Sequence, residues 1–465
     1  MIDELIQLDA CTVADELKAG NLSPKELVDA SERRINQTDH IINAIPTKCF
    51  DRARSSLKSL DKYNNPLNGI PIVIKDLMPV SNVLTTYGSK IFSDNIPDKS
   101  DSLVNRIEKS GGVIMGKSNT PEFGAGANTF NEVFGATLNP WDISKTCGGS
   151  SGGSAVSIAT GQVWLAHGSD LGGSLRTPAS FCGITGLRPS PGRVPTSSSN
   201  LPFSSLFVDG PMGRNAKDVA LFLDAMCGFD THDPLSYPKP EHSYRQAAER
   251  EELPKRIAYS PNLGFAPVDK EVSDICEKTL KVLSSGGAKV ELASPNLQKA
   301  RESFHTLRAA YFAADKYSLL DQYPDILKPE LVWNIKKGLE LTAKEIGKAE
   351  IIRANIFRNF VEFFDTYDLL VCPTAIVPPF DVNIRYIENV GDVYFDNYVD
   401  WIAITFVLSL SACPIVATPA GITKNGLPVG LQILAPPKRE DIALSAAAWL
   451  ESQLQLNKLL PIDPT

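Results

Sequence analysis

Thr146-Cys-Gly-Gly-Ser150-Ser-Gly-Gly-Ser-Ala-Val-Ser-Ile-Ala159 and the run after it, Val163-Trp-Leu-Ala-His-Gly168-Ser-Asp-Leu-Gly-Gly-Ser174-Leu-Arg-Thr-Pro-Ala179, carry the alternation on which the fold reading rests. Gly153 to Ala159 reads as a buried helix and Val163 to Ala166 as a buried strand, each next to a turn in which glycines crowd around serines. Such turns double back sharply and can aim their own N–H groups at a reacting oxygen, so Ser150, Ser151 and Ser174 are candidates for nucleophilic chemistry. A flexible Gly/Ser linker fits badly, because the run is short and abuts apolar, helix-like sequence.

The alternation continues outward in both directions. Upstream, Ser23-Pro24-Lys25-Glu26 supplies an N-cap, a proline at the first helical position and a capping-box glutamate. Gly69-Ile-Pro-Ile-Val-Ile-Lys75 reads as a buried strand that ends in a lysine, and a helix over Ser102 to Lys109 precedes a strand over Val113 to Met115. Downstream, helices are expected over Ala216 to Met226, Glu271 to Leu283 and Asp441 to Gln453. Strands are expected over Arg256 to Tyr259, Lys289 to Leu292, Leu369 to Cys372 and Leu427 to Leu434. A longer helical region from Leu297 to Phe364 is interrupted near Pro324 and Pro329, and Asp230 to Arg250 reads as a surface excursion. This is α/β patterning with no internal repeat and no separating linker.

The 465 residues are 43% hydrophobic and 22% charged, the balance of an ordinary globular protein. A net charge of -8 with no Lys/Arg cluster argues against a nucleic-acid partner. The eight cysteines are irregularly spaced without a C-x-x-C pair, which suggests free, mostly buried thiols and neither a disulfide framework nor a zinc site. Trp401 to Thr423 carries no charge, yet Pro414 and Pro419 would break a membrane span, so a buried helix running into a buried strand is expected. The start, Met1-Ile-Asp-Glu, lacks the features of a signal peptide, and a cytoplasmic location follows as an expectation.

Two motifs are set aside. Gly111-Gly-Val-Ile-Met-Gly-Lys117-Ser118 matches a phosphate loop, but its centre is strand material and Asn119-Thr-Pro-Glu cannot simply continue as a helix. Gly149-Ser-Ser151-Gly-Gly153 matches a nucleophile elbow, but the last histidine is His305, which leaves that fold without its base. His167 reads as a structural hydrogen-bonder. Without histidine the obvious base is Lys75, since a desolvated lysine can lose its proton near neutral pH. The same pattern fits a partly exposed strand-end lysine equally well.

These motifs, in this order, resemble the amidase signature family. They are Gly-Ile-Pro-Ile-Val-Ile-Lys75-Asp, the Gly148-Gly-Ser150-Ser-Gly-Gly-Ser box, and Gly168-Ser-Asp-Leu-Gly-Gly-Ser174-Leu-Arg-Thr-Pro-Ala with Gly186-Leu-Arg-Pro-Ser-Pro-Gly-Arg-Val. Gly116-Lys-Ser-Asn-Thr-Pro-Glu-Phe, Asp209-Gly-Pro-Met-Gly-Arg-Asn and Gly426-Leu-Pro-Val-Gly-Leu-Gln-Ile extend the likeness over nearly the whole chain. The resemblance implies an α/β fold, a mixed twisted central β-sheet sandwiched between α-helices. It also implies one domain over residues 1–465, with the motif-bearing core over about 65–235.

It further implies an amidase that cleaves a small linear carboxamide through a Ser-cisSer-Lys triad. Ser174 attacks, Ser150 holds a cis peptide bond and relays the proton, and neutral Lys75 is the base. Backbone N–H groups of Leu171, Gly172, Gly173 and Ser174 would form the oxyanion hole; Asp170 and Arg176 would brace the loop, and Ser151 would add a hydrogen bond to Lys75. Ser169-Asp-Leu171 departs from the family's usual Thr-Asp-Thr or Thr-Asp-Ile but preserves the backbone donors. No cofactor or metal is implied, and a homodimer is compatible with the family. The pocket would draw on Phe123 to Phe130, Phe203 to Phe207 and Tyr311 to Tyr323, residues that ordinary core packing would explain equally well.

The alternative within the family is the glutamine-hydrolysing amidase subunit of a tRNA-dependent amidotransferase. Its expected segments are replaced here by Ser197-Ser-Ser-Asn-Leu and Ser204-Ser-Leu-Phe-Val-Asp-Gly-Pro. A catalytically silent binding protein would not need all three triad positions filled, as they are here.

Overall fold

A computed structural model of the chain describes residues 3–60, 65–196 and 200–465. Met1 and Ile2, part of the reading of the chain's start, and residues 197–199 of the serine-rich segment lie outside the described residues.

Eleven strands make one mixed sheet. In chain order they are β1 (Thr47–Lys48), β2 (Pro71–Lys75), β3 (Val113–Ser118), β4 (Leu165–Asp170), β5 (Thr185–Arg188) and β6 (Val208–Gly213), followed by β7 (Arg256–Tyr259), β8 (Lys289–Leu292), β9 (Leu369–Pro373), β10 (Ile415–Ile422) and β11 (Pro428–Leu434). Their order across the sheet is β1-β3-β2-β4-β6-β5-β10-β11-β9-β7-β8. β2 runs parallel to β3 and β4, and β7 runs parallel to β8 and β9, while the remaining pairings are antiparallel.

Alternation along β2 shows why both faces are covered. Ile72 and Ile74 enter an apolar cluster with Val104, Leu223 and Leu444, from the helices Ser102–Lys109, Ala216–Met226 and Glu440–Leu454. Val73 enters another with Ile35 and Val156, from the helices Pro24–Ile42 and Gly152–Ala159. Successive side chains on a strand point to opposite faces, so an uninterrupted apolar run requires helices on both sides.

The capping box at Ser23 and Glu26 is formed as expected. The region Leu297 to Phe364 resolves into α1 (Ala300–Gln322), α2 (Pro329–Leu339) and α3 (Ala343–Thr366), with a further capping box at Thr342 and Glu345 marking a break that the prolines do not explain. α4 (Ala403–Ser409) runs into β10, and no described helix is long and apolar enough to cross a membrane.

Two expectations change. The strand expected over Val163 to Ala166 is β4, which continues through Asp170 because Val208–Gly213 pairs with it residue for residue, from Leu165↔Gly213 to Asp170↔Val208. Inter-strand pairing there outweighs the turn propensity of Gly168 and Ser169. The surface excursion ends earlier than Arg250: Tyr244–Glu249 is a helix whose Tyr244, Ala247 and Ala248 are buried.

Candidate active site

Lys75 ends β2 two residues after Val73 and therefore points under the helix Gly152–Ala159. It is fully buried, which excludes the partly exposed strand-end lysine. Its Nζ lies 2.7 Å from Ser150 Oγ, 2.9 Å from Ser151 Oγ and 3.0 Å from Ser169 Oγ. The two neighbouring serines come from the turn that opens the helix, and the Gly149–Ser150 peptide is cis. The turn fits only because its glycines lack side chains: a Cβ on Gly153 would stand 2.4 Å from Asn119 N and 2.5 Å from Ala44 O.

The role of the Ser151 hydroxyl at Nζ follows from counting. The Ser151 hydroxyl donates to Ser169 O at 3.2 Å, so towards Lys75 it can only accept. A neutral amine has two N–H groups and one lone pair. With Nζ donating to Ser151 and to Ser169, its lone pair would face the Ser150 O–H. Burial pulls the Lys75 ammonium down to about 7, against the opposing pull of Asp209 and Asp170. Asp76, the adjacent residue, is committed elsewhere: its carboxylate pairs with buried Lys117 at 3.0 Å and accepts from the Thr86 hydroxyl at 2.6 Å.

Ser174 is half-buried and lines, with Ser150, a cavity of about 450 Å³. Among the described residues no hydrogen bond joins Ser150 Oγ to Ser174 Oγ; the loop is tied to the turn through the Ser151 N–H, which donates to Ser174 O at 3.2 Å.

Asp170 organises that loop from beneath. Arg176 Nε donates to it at 3.0 Å and Arg188 Nη1 at 3.1 Å. Burial alone would raise its carboxyl pKa, but the two guanidinium groups hold it well below the usual carboxylate range. Arg176 also donates to Thr405 O and Gln432 Oε1, each at 2.8 Å, fastening the loop to α4 and β11. The brace changes the expected oxyanion hole. The Gly173 N–H points to Asp170 Oδ1 at 2.8 Å and is taken up there, whereas the N–H groups of Leu171, Gly172 and Ser174 make no hydrogen bond among the described residues.

His167 and Asp209 complete the floor. The Lys75 backbone N–H donates to His167 Nδ1 at 3.3 Å, which leaves the proton on Nε2, 3.0 Å from Asp209 Oδ1. His167 thus holds the lysine's main chain and an acid, in line with a structural hydrogen-bonding role.

The pocket aromatics divide. Phe123, Phe207, Tyr311 and Phe312 line the cavity. Phe203 is 78% exposed, and Tyr317 and Tyr323 are also exposed, so those parts of the expected pocket face solvent. Phe130 borders a separate cavity.

A family model described as Amidase matches residues 26–444. The chain belongs to the amidase signature family. This amidase is 34% identical to an acylamidase of Rhodococcus erythropolis, covering 96% of this chain and 95% of that protein. It is 32% identical to a glutamyl-tRNA(Gln) amidotransferase subunit of Natranaerobius thermophilus, covering 98% of each. Its fold matches a bacterial aryl acylamidase structure with a TM-score of 0.89 at 25% identity, covering 97% of this chain and 98% of that one. It also matches 6-aminohexanoate cyclic dimer hydrolase with a TM-score of 0.86 at 26% identity, covering 97% of each. The amidase is accordingly an enzyme that hydrolyses amide C–N bonds.

Sequence reasoning missed the part Ser169 plays at the amidase lysine and the Lys117–Asp76 pair. The signal for Ser169 was present: His167 and Ser169 alternate on β4 and so face the same side, next to β2.

Proposed function

We propose that the enzyme hydrolyses a small linear carboxamide to a carboxylic acid and ammonia or an amine, with Ser174 as nucleophile, Ser150 as proton relay and Lys75 as base. The observation that carries this reading is the buried Lys75 Nζ, 2.7 Å from Ser150 Oγ and with its pKa brought down to about 7. Ser174 Oγ attacks the carbonyl carbon while its proton passes through Ser150 to Nζ. The free N–H groups of Leu171, Gly172 and Ser174 receive the oxyanion. The C–N bond breaks as the nitrogen takes the proton back through Ser150. Water then cleaves the acyl-enzyme by the same relay, releasing the acid and restoring Ser174.

The relay requires the Ser174 hydroxyl to reach Ser150 when substrate is bound. Catalytic hydrogen bonds of this kind commonly tighten only when substrate is bound. The aromatic lining of the cavity favours an aryl or medium aliphatic acyl group.

The likeness to amidotransferase subunits supports a second reading, ammonia release from glutamine for a partner. Ammonia release from aliphatic, aromatic and amino-acid amides, with Ser174→Ala as control, separates the two. Turnover of simple amides that is lost in the variant supports the first. Activity confined to glutamine, or none without a partner, replaces it with the second.

A further inference from the structure

α1 forms one wall of the cavity, and its residues mark distance from the catalytic loop. Phe304 stands at the inner end: a Cβ on Gly172 would lie 2.8 Å from Phe304 Cζ. Arg308 follows one turn later on the same helix face and also lines the cavity, although only 7% exposed. Its guanidinium lies 4.7 Å from the Phe312 ring centroid and 5.4 Å from that of Tyr398.

The polar partners of Arg308 are neutral. Nη1 donates to Asn334 Oδ1, and Nη2 donates to Tyr398 OH at 2.8 Å. No described carboxylate forms an ion pair with it, in contrast to Arg176 and Arg188, which share Asp170. A guanidinium carries five N–H groups, so most of its donors remain available. Tyr398 OH accepts from both Arg308 and Asn334 Nδ2, which occupies its lone pairs and leaves its own O–H to donate. Donors thus converge on one place in a desolvated wall with no anion to meet them, and a charged group buried without a counter-ion is costly unless a ligand supplies one.

The carboxylates around the cavity are hydrogen-bonded from within the protein. Asp315 pairs with Lys316 at 2.9 Å and accepts from Asn200 at 2.7 Å; Asp209 is held by His167 at 3.0 Å and Thr196 at 3.2 Å. Asp209 lies on the floor beside the neutral His167, so the cavity keeps a negative charge there and an unpaired positive one at Arg308 on the α1 wall.

We propose that Arg308 and Tyr398 form a carboxylate-binding subsite for the acyl chain, and that the preferred substrate is the monoamide of a short dicarboxylic acid. This rests on the hydrolase reading above and narrows its substrate class. Four residues separate Arg308 from Phe304, roughly 6 Å along the axis, a span that about three or four methylene groups cover.

The test uses full-length Ser174→Ala, in which binding is read without turnover. Calorimetric titration compares succinamate, glutaramate and adipamate with butanamide, pentanamide and hexanamide. At least one acid amide should bind tenfold or more tightly than its uncharged partner. That ratio should collapse towards one in Ser174→Ala/Arg308→Met and be partly kept with Arg308→Lys. Equal affinities in all three pairs overturn the subsite, as does a preference that survives Arg308→Met. If the Met variant fails to fold, equal affinities with Arg308 intact still overturn the subsite, and the Arg308→Lys variant, which keeps the charge and weakens the preference, carries the assignment. Hydrolysis of the uncharged amides by the unsubstituted enzyme is scored separately: selective binding without turnover of any amide refutes the hydrolase reading alone, and turnover without selectivity refutes the subsite alone.

Discussion

Lys75 Nζ and Ser150 Oγ lie 2.7 Å apart inside the protein, while the carboxylate next to Lys75 in sequence faces another lysine. That separation is what leaves Lys75 available as a base. Had Asp76 paired with Lys75, the ammonium would be stabilised and its proton held to much higher pH.

The activity should therefore follow the charge on Lys75. With that pKa at about 7, kcat/KM should rise with pH through that region and level off above it, since the neutral amine is the active form. A profile flat from pH 5 to 9 would remove Lys75 as the base, as would near-normal activity in Lys75→Met.

The same shift has a stability consequence of defined sign. The folded-state pKa lies below the ordinary lysine value of 10.5, so between about 7 and 10.5 the unfolded chain binds the extra proton and stability rises with pH. Comparing urea unfolding of the enzyme with Lys75→Met isolates this group. The unsubstituted chain should gain about 3 kcal/mol on the variant between pH 7 and 9.5. A constant difference would mean that the lysine titrates outside that window.

Asp170→Asn should impair both folding and catalysis. It leaves buried Arg176 and Arg188 without their shared counter-ion and loosens the Gly173 N–H. Breaking such a buried arrangement costs about 3–5 kcal/mol. Chemical denaturation should report a loss of that size, and kcat should fall more than KM changes, because the loop carrying Ser174 loses its anchor. Unchanged kcat would show that the brace is dispensable for chemistry.

Lys117 and Asp76 offer a double-mutant cycle away from Lys75. Lys117 also donates to Met78 O at 2.7 Å and Thr85 Oγ1 at 2.9 Å, so the pair fastens the segment after β2. Lys117→Met and Asp76→Asn should each destabilise by about 3 kcal/mol or more, and the double variant by clearly less than the sum. Additive losses would show that the two charges are not coupled.

The meeting of Lys75 with Ser150 and Ser151 was legible because both sit at the ends of elements that the sequence itself marks: a β-branched run ending in Lys75 and a Gly/Ser turn beside a helix. The Gly173 N–H was not legible. Whether an amide in a glycine-rich turn points into the cavity or back to Asp170 depends on φ values that glycine leaves open, here +130° at Gly173. Nor was the wall that Arg308 occupies. A long amphipathic helix announces its buried face, but its neighbours Asn334 and Tyr398 come from distant segments, and no local pattern brings them together.

Gly172 and Gly173 separate two reasons for being glycine. A Cβ on Gly172 would press on Phe304 Cζ at 2.8 Å and Phe406 Cβ at 3.2 Å, with no positive φ involved. Phe304 is in turn stacked on Phe406 with ring centroids 4.2 Å apart, so it cannot retreat freely. Gly172→Ala should keep the fold but displace the loop N–H groups and lower kcat/KM at least tenfold, since small displacements at a reacting centre are costly. Adding Phe304→Leu makes room and should recover part of that loss. At Gly173 a Cβ would meet Thr405 Oγ1 at 2.4 Å and Cβ at 2.7 Å and the backbone sits at φ +130°, so Gly173→Ala should lose stability as well, and Thr405→Gly, which removes both atoms, should not restore it. Circular dichroism melting and steady-state kinetics on the four variants check this. Rescue of Gly173→Ala by the Thr405 change, or none of Gly172→Ala by the Phe304 change, would invert the assignment.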